Sequence, residues 1–344
     1  MPFVTAHGVA GAVSVQARKP GTGGGTMLRI LLAIACTGGT VAAAEPQSIA
    51  PHTFLLRGHF ESGRQPDGNS ILLVAPQGLV VVDTGRHPAH TRALLDFALA
   101  RGQPVAAIVN THWHLDHVGG NPRVRSAYPR APVHASDAIE GAMGGFLANY
   151  RRQLEQMLRE AGDDAGKRAP FEAELAILDA GPALAPDRVV AASGPATLAG
   201  LPLRLGLARR AATAGDVWLY DASTRILIAG DLVTLPAPFF DTACASGWRA
   251  ALAELEAVPF KTLVPGHGAP MGRAEFARYR AAFGGLLDCA AGEAEAPACI
   301  EGWLEGVGAL VPVSEQPLAR MLLEYYLAQV LRGDPPPVRE ACTA

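Results

Sequence analysis

Short apolar runs alternate along the chain with stretches of helical periodicity. A run such as 105–109 (Val-Ala-Ala-Ile-Val) carries no polar residue, which is typical of a strand covered on both faces. Apolar positions three and four apart predict helices over 91–100 and 247–257. Strands are predicted at 71–75, 79–82, 105–109, 201–207, 217–220, 226–229 and 262–264, with two more beginning at Val133 and Val189. This order of elements predicts an α/β fold in which two sheets are sandwiched by helices.

Two parts of the chain depart from this alternation. Residues 137–180 are helix-rich and contain a polar hinge at 162–166, so we predict a helical insertion there. After Arg273 the sequence is helical in character to about Arg332, interrupted by a short loop. We therefore expect a main domain over 45–285 and a C-terminal helical extension over 286–344.

The N-terminus resembles a secretory signal. A positive start at Met27-Leu28-Arg29, an apolar middle and an Ala-x-Ala ending at Ala44 predict a signal peptide over 27–44. Residues 1–26 would then be an extension from a start codon assigned too early. A membrane anchor is the weaker reading, because the apolar run is shorter than the roughly 20 residues that span a bilayer. Lipid attachment at Cys36 is a further alternative. The interpretation we favour is a periplasmic or secreted protein.

Composition narrows the range of partners. Hydrophobic residues make up 49% of the 344, which is enough for a large core and excludes global disorder. The 29 basic side chains are outnumbered by 32 acidic ones, so no basic surface for nucleic acid is expected. No later segment has the length and hydropathy of a membrane span. A small-molecule substrate is the expected partner, and the oligomeric state is left open.

The cysteines fit an oxidising compartment. Four remain beyond the predicted signal peptide, an even number, and none has zinc-finger spacing. Cys289 and Cys299 flank a Gly/Ala/Pro-rich loop and are predicted to pair, the alternative being two buried free thiols. The sequence does not decide whether Cys244 and Cys342 pair.

The strongest chemical signal is the segment 111–117, Thr-His-Trp-His-Leu-Asp-His. Four side chains that can ligate a metal lie within six residues, directly after a predicted buried strand: His112, His114, Asp116 and His117. A loop at the end of a strand can bring such side chains onto one or two cations. Imidazole and carboxylate together suit Zn²⁺.

The motif His-x-His-x-Asp-His resembles that of the metallo-β-lactamase superfamily, and three further landmarks follow in the family's order. These are Asp-Thr-Gly at 83–85, Ala-Gly-Asp at 229–231 and Pro-Gly-His-Gly at 265–268, each after a predicted strand. The resemblance covers roughly residues 50–280. It implies a four-layered αβ/βα sandwich, here with a helical insertion and a C-terminal helical extension.

The resemblance also implies a role for each motif residue. His112 and His114 would bind a first zinc ion. Asp116, His117 and His267 would bind a second. Asp231 would bridge the two. Asp116 would in addition orient the nucleophile and pass on its proton, which makes it the candidate catalytic residue.

One family feature is missing. The family usually carries a third histidine for the first zinc just before a strand, where this chain reads Arg-Ala-Ala-Thr-Ala-Gly-Asp over 210–216, with Ala212 in the histidine's place. The resemblance therefore implies one tightly bound zinc and a first site that is weak, empty or completed from elsewhere. His134 is a conceivable replacement, although an ordinary surface or supporting role is the simpler reading.

Together these features predict an exported zinc-dependent hydrolase that cleaves an ester, thioester or amide-like bond of a small molecule. An aspartate at 231, where true β-lactamases usually have cysteine or serine, favours this over a β-lactamase or lactonase. A non-catalytic periplasmic metal-binding protein is the alternative outside the enzymes. His87 and His90 are predicted as solvated loop residues, with substrate contact as the alternative, and 235–240 as either a pocket wall or core.

Overall fold

The computed structural model of the protein describes residues 45–60, 64–332 and Cys342. The predicted N-terminal extension at 1–26, the signal peptide at 27–44 and Cys36 lie outside these residues. Among the helices that are described, none has the length and apolar character needed to cross a membrane.

Two mixed sheets form the centre of the fold. The first has seven strands that lie side by side in chain order: β1 (Gln47–Ala50), β2 (Thr53–Leu56), β3 (Ser70–Ala75), β4 (Gly78–Val82), β5 (Val105–Val109), β6 (Val133–Ala135) and β7 (Arg188–Val189). The second has six strands in the spatial order β13-β12-β11-β10-β9-β8: β8 (Gly194–Leu198), β9 (Leu201–Arg209), β10 (Gly215–Asp221), β11 (Ile226–Thr234), β12 (Thr262–His267) and β13 (Met271–Gly272).

Helices connect and cover these sheets. They are α1 (Pro88–Ala100), α2 (Leu115–Val118), α3 (Asn121–Ala127), α4 (Ala138–Gly144), α5 (Phe146–Glu160), α6 (Ala165–Asp179), α7 (Ala245–Ala257), α8 (Arg273–Ala291), α9 (Ala296–Val307) and α10 (Gln316–Tyr325). The strands β4, β5, β6 and β7 run parallel, as do β11 and β12. Parallel neighbours need a crossover, and helices supply one in every case.

Three apolar clusters show how the layers stack. The middle cluster joins the facing sides of the two sheets, for example Leu73 of β3 with Leu219 of β10. A second cluster packs the outer face of the first sheet against α1 through residues such as Leu94. The third packs the second sheet against α7 to α10 and contains Trp248 and Trp303. This arrangement confirms the predicted four-layered αβ/βα sandwich.

The predicted boundaries differ in places from those observed. Residues 137–180 contain α4, α5 and α6, and the hinge at 162–166 lies at the turn between the last two. The domain boundary predicted at 285/286 falls inside α8, which runs without a break to Ala291 because its apolar face stays against the second sheet. The C-terminal helices therefore share one core with that sheet.

Two disulfides secure the C-terminal part. Cys289 pairs with Cys299, as predicted, and joins α8 to α9. Cys244 pairs with Cys342 across 98 residues of sequence, which settles the pairing that the sequence left open. The bond between Cys244 and Cys342 attaches Cys342 at the N-terminus of α7.

Candidate metal centre

Four strand ends carry the residues of the centre. Asp83 directly follows β4, and the histidine segment begins three residues after β5. Asp231 lies within β11, and His267 is the last residue of β12. Because β4 runs parallel to β5, and β11 to β12, each pair delivers its carboxyl ends to one edge of its sheet.

Two glycines allow these strand ends to approach closely. Gly230 has φ +54°, in the left-handed region, and a side chain there would collide with Thr111. A Cβ on Gly266 would collide with the carboxylate of Asp231. The register between β11 and β12 is irregular at Gly230. The strands therefore bend where their side chains must converge.

The structure brings all six candidate ligands together in two adjoining groups. In each, the three possible ligand atoms lie within 4.8 Å of one another, and every residue is buried. The first group is His112, His114 and Asp231; the second is Asp116, His117 and His267. The structure thus places His112 with His114, and Asp116 with His117 and His267, as in the groups that the family resemblance implied.

The second group has the dimensions of a tetrahedral site. Nε2 of His267 lies 3.0 Å from Oδ2 of Asp116, and Nε2 of His117 lies 3.6 Å from that oxygen. Oδ1 of Asp231 adds a fourth atom, 3.3 Å from His117 Nε2 and 3.7 Å from His267 Nε2. Bonds of about 2.0–2.1 Å to a central zinc ion would separate tetrahedral ligands by about 3.3 Å. The four atoms fit a zinc ion without rearrangement of the fold.

The first group is incomplete by comparison. His112 Nε2 lies 2.9 Å from His114 Nδ1 and 3.6 Å from Oδ2 of Asp231. Since the other oxygen of Asp231 faces His117, this carboxylate can serve both groups. No third histidine completes the first group among the described residues.

Two buried atoms of the centre lack a protein partner. His117 Nε2 and Asp231 Oδ1 are inaccessible to solvent and accept or donate no hydrogen bond in the structure. An unpaired buried polar group costs about 1–3 kcal/mol. Because these two atoms face each other across the second group, a cation held there would satisfy both.

Supporting residues fix which nitrogen of each histidine faces the centre. The Thr111 hydroxyl donates to Asp83 Oδ2 at 2.7 Å. The same hydroxyl therefore accepts the hydrogen bond from His112 Nδ1–H, at 3.0 Å. His117 donates Nδ1–H to Asp83 Oδ2 at 2.8 Å. Both rings therefore direct Nε2 toward the centre, where a metal would bind in place of a proton.

Thr242 does the same for His114. Its hydroxyl donates to the carbonyl of Ala212 at 3.0 Å and accepts from His114 Nε2 at 3.0 Å. This leaves Nδ1 of His114 facing His112. Trp113, between the two ligands, is buried and packs edge-on against His114.

Ala212 and His134 differ in how they relate to the first group. Ala212 is buried, and Thr242 connects its carbonyl to His114 through two hydrogen bonds. This position is consistent with the alignment of Ala212 to the missing histidine. His134 lies in β6, half-exposed, and joins neither ligand group. The replacement of the lost ligand by His134 is therefore wrong. Its backbone pairs with Val109 and Arg188 in the first sheet.

The charges at the centre favour a cation. Burial alone would raise the pKa of Asp116, yet the charge of His117 and the hydrogen bond from His267 hold it well below its usual range. Burial lowers the pKa of His112 to about 4. Burial would also lower the pKa of His117, but the carboxylates of Asp231 and Asp83 raise it well above 6.5. The carboxylates around His117 thus attract positive charge, which a metal ion would provide.

The neighbouring histidines are more enclosed than the sequence predicted. His90 is buried, and its Nε2 lies 2.8 Å from Ser70 Oγ, so the expectation of a solvated residue is wrong for it. Burial lowers the pKa of His90 to about 4. His87 pairs with Asp67 at 2.9 Å. Neither ring belongs to a ligand group.

Two aromatic rings border the centre. The Phe60 ring lies 5.0 Å from that of His267 and is 37% exposed. The Phe239 ring lies 5.1 Å from that of His114 and is half-buried. Segment 235–240 is thus both core and wall, because Leu235 and Phe240 are buried whereas Phe239 faces the ligands.

A four-layered sandwich with buried histidines and aspartates gathered between adjoining edges of its two sheets defines a class, that of the metallo-hydrolases. The chain belongs to the metallo-beta-lactamase superfamily, whose family model matches residues 63–267. The resemblance drawn from the sequence motifs is thereby confirmed.

Curated relatives match shorter stretches. A linear primary-alkylsulfatase of Pseudomonas sp. is 27% identical over 223 residues, which is 58% of this chain and 41% of that protein. A hydroxyacylglutathione hydrolase of Synechococcus sp. is 43% identical over 58 residues, 17% of this chain and 23% of that protein. The chain thus spans less than half the length of either relative.

Solved structures share the fold. A sec-alkyl sulfatase double mutant superposes with a TM-score of 0.57 at 20% identity, over 86% of this chain and 52% of that chain. A metallo-beta-lactamase from Pontibacter korlensis gives a TM-score of 0.49 at 23% identity, over 68% of this chain and 95% of that chain. At these identities the likeness concerns the fold alone.

Proposed function

We propose that this protein is an exported zinc-dependent hydrolase that cleaves an ester, thioester or amide-like bond of a small molecule. The observation that carries the proposal is the second ligand group. Asp116, His117 and His267 place three ligand atoms around one point, and Asp231 adds a fourth. The two unpaired buried atoms at that point are the second reason.

Zinc is the ion that suits this donor set best. Nitrogen from imidazole and oxygen from carboxylate, four in number and near tetrahedral spacing, are the usual ligands of Zn²⁺. His117 and His267 with Asp116 and Asp231 would hold it. When bound, zinc acts as a Lewis acid and makes water a competent nucleophile near neutral pH.

The chain's own groups divide the remaining work. Oδ2 of Asp116 faces the ligand group and, as a carboxylate, can hold and release a proton there. Asp83 keeps the His117 ring in place, and Thr242 keeps that of His114. The layers of the sandwich exclude bulk water from all six candidate ligands, which are buried.

The border of the centre favours a substrate with an apolar part. Phe60 lies against His267 and Phe239 against His114, so a reacting group held at the ligands would have an aromatic ring on either side. Apolar surface removed from water stabilises binding by about 25 cal/mol per Å². We therefore expect alkyl or aryl substituents next to the scissile bond to improve the KM.

A sulfate ester is a second candidate substrate. The alkylsulfatase relative matches 58% of this chain, whereas the hydroxyacylglutathione hydrolase matches 17%. An alkyl sulfate would also present an apolar tail to Phe60 and Phe239. Hydrolysis of the sulfate ester and of the thioester are therefore compared in the same assay.

A hydrolysis panel tests the function. Zinc-loaded protein is offered a glutathione thioester, a long-chain alkyl sulfate, an acyl homoserine lactone and nitrocefin, with Asp116→Asn as the inactive control. We expect turnover of the thioester or the sulfate ester to exceed that of nitrocefin. Preferred turnover of nitrocefin or the lactone would favour a β-lactamase or lactonase instead. Tight zinc binding without turnover of any substrate would favour a non-catalytic metal-binding protein.

Export is part of the same proposal. It rests on the predicted signal peptide at 27–44, and the two disulfides are consistent with an oxidising compartment. N-terminal sequencing of the protein from a periplasmic fraction should find a start near Glu45. Folded cytoplasmic protein that retains Met27 would contradict export.

A further inference from the structure

A buried pair of charges lies behind Asp116. Arg86 follows the turn after β4 and is only 6% exposed. Its Nη1 donates to Oε2 of Glu174, which lies on α6 and is 5% exposed. The hydroxyl of Tyr150, on α5, donates to the same carboxylate oxygen at 3.1 Å. The helical insertion thus places a carboxylate and a hydroxyl beside Arg86, next to the metal centre.

Arg86 contacts the side of Asp116 that faces away from the ligands. Its Nη2 lies 3.5 Å from Oδ1 of Asp116, while Oδ2 faces His267 and His117. The two oxygens of one carboxylate are therefore divided between the guanidinium and the ligand group. A rotation of the carboxylate would disturb both contacts.

The positive charge of Arg86 is balanced only when both carboxylates, Glu174 and Asp116, are present. Burial alone would lower the pKa of Arg86, but the carboxylates of Glu174 and Asp116 raise it above its ordinary value, so the guanidinium is charged. An isolated buried cation beside a metal site would repel the metal. Glu174 compensates that charge from the far side of Arg86.

We propose that Arg86 and Glu174 are a positioning pair. Through this pair the helical insertion orients Asp116 and sets the zinc affinity of the second ligand group. The proposal rests on the zinc binding of the proposed function. Arg86 holds Oδ1 so that only Oδ2 faces the ligands. Glu174 prevents Arg86 from competing with the metal for the carboxylate. Neither residue touches the reacting atoms.

Removing the charge of Glu174 and removing that of Arg86 should have opposite effects on zinc affinity, so the two changes should cancel. Glu174→Gln leaves Arg86 uncompensated, so its positive charge weakens zinc binding. One unit charge within about 24 Å of a doubly charged ion, at an effective dielectric constant of about 20, changes its affinity by about tenfold or more. Adding Arg86→Gln to that variant removes the excess charge. The double variant should therefore bind zinc to within about threefold of wild type.

The experiment measures the zinc dissociation constant of the full chain by competition with a chromophoric chelator. Glu172→Gln is the matched control, since Glu172 lies on the same helix, is exposed and forms its ion pair with the half-buried Arg168. We expect zinc binding to be at least about tenfold weaker in Glu174→Gln, to recover in the double variant and to be unchanged in the control. Wild-type affinity in Glu174→Gln, or a double variant that binds as weakly as Glu174→Gln or worse, would overturn the proposal.

Catalysis supplies a second readout if Glu174→Gln does not fold. The double variant should keep its zinc, because Asp116 keeps its charge, but lose at least tenfold in kcat with little change in KM, because Arg86 no longer fixes the orientation of that carboxylate. Loss of zinc together with activity in that variant would mean that the network is merely structural. Wild-type protein that binds zinc and hydrolyses nothing would refute the proposed function alone. Failure of wild-type protein to bind zinc would refute both.

Discussion

Replacing Asp83 by Asn should change the tautomer of the ligand His117 without removing any ligand. The Asp83 carboxylate is 1% exposed and accepts hydrogen bonds from Thr111 N, Thr111 Oγ1 and His117 Nδ1, at 2.8, 2.7 and 2.8 Å. Asparagine has nearly the same shape, but its amide NH₂ would face two donors in place of Oδ2. With the amide oxygen held by Thr111 N–H, His117 relieves the clash by moving its proton to Nε2. That nitrogen faces Asp116 and Asp231, where a metal would bind.

The expected loss follows from this change of tautomer. Removing the partner that orients a ligating histidine typically costs 10–100-fold in metal affinity, or about 1.4–2.7 kcal/mol. We expect Asp83→Asn to weaken zinc binding by that factor. The metal-free protein should also lose about 1–3 kcal/mol of unfolding free energy, because buried donors lose their acceptor.

Asp221 offers a matched control. It is buried, lies 2.8 Å from the partly exposed His52, and also accepts hydrogen bonds from Ser223 and Thr224. It pairs with Ile226 in the sheet, at the end of β11 away from the metal centre. Asp221→Asn should lower the unfolding free energy but leave zinc affinity unchanged. Chelator competition and urea unfolding measure the two quantities. Zinc affinity within twofold of wild type in Asp83→Asn, or equal losses in both variants, would refute the reasoning.

Three further outcomes are expected. Asp116→Asn should abolish turnover while the fold persists, because an amide neither carries the charge nor accepts the proton; activity within tenfold of wild type would show that Asp116 is not central. Ala212→His should raise the zinc content toward two per chain after dialysis against a weak chelator; no gain would mean that the alignment of Ala212 is wrong. Although burial opposes it, the hydrogen bond from His87 lowers the pKa of Asp67 to about 2. Since this folded-state pKa is below the ordinary 3.8, Asp67 should contribute about 2 kcal/mol above pH 4, lost as the pH falls toward 2. Urea unfolding of Asp67→Asn should lack that acid dependence, and an unchanged pH slope would contradict it.

The sequence predicted the centre of the fold well because its signals are local. Buried strands such as 105–109 lack polar residues, and the histidine motif follows one of them directly. Asp231 and His267 were found through the landmarks at strand ends. The structure extends both strands through these residues, whereas the sequence ended them earlier, at 229 and 264.

Edge strands were missed for a physical reason. β1 is largely exposed, and β8 alternates exposed and half-buried positions. Neither carries the continuous apolar run that marks a strand covered on both faces. β2 is only four residues long, which gives periodicity little to act on. Such strands are defined by the neighbour with which they pair.

The supporting residues of the centre could not be found from the sequence. Glu174 is 88 residues from Arg86, and Thr242 is 128 residues from His114. No spacing rule connects positions so far apart, because their contact depends on how the insertion and the loop after β11 fold back. The burial of His90 has the same origin, since its partner Ser70 lies on β3. In the sequence these residues resemble ordinary polar positions.

The most direct test of the account is a crystal structure of the purified protein with data collected on both sides of the zinc absorption edge. We predict one strong anomalous peak bound by Asp116, His117 and His267, with Asp231 at its edge, and a weak peak or none beside His112 and His114. Elemental analysis of the same sample should give about one zinc per chain. A centre without zinc, or a single strong peak at the first group instead of the second, would contradict the account.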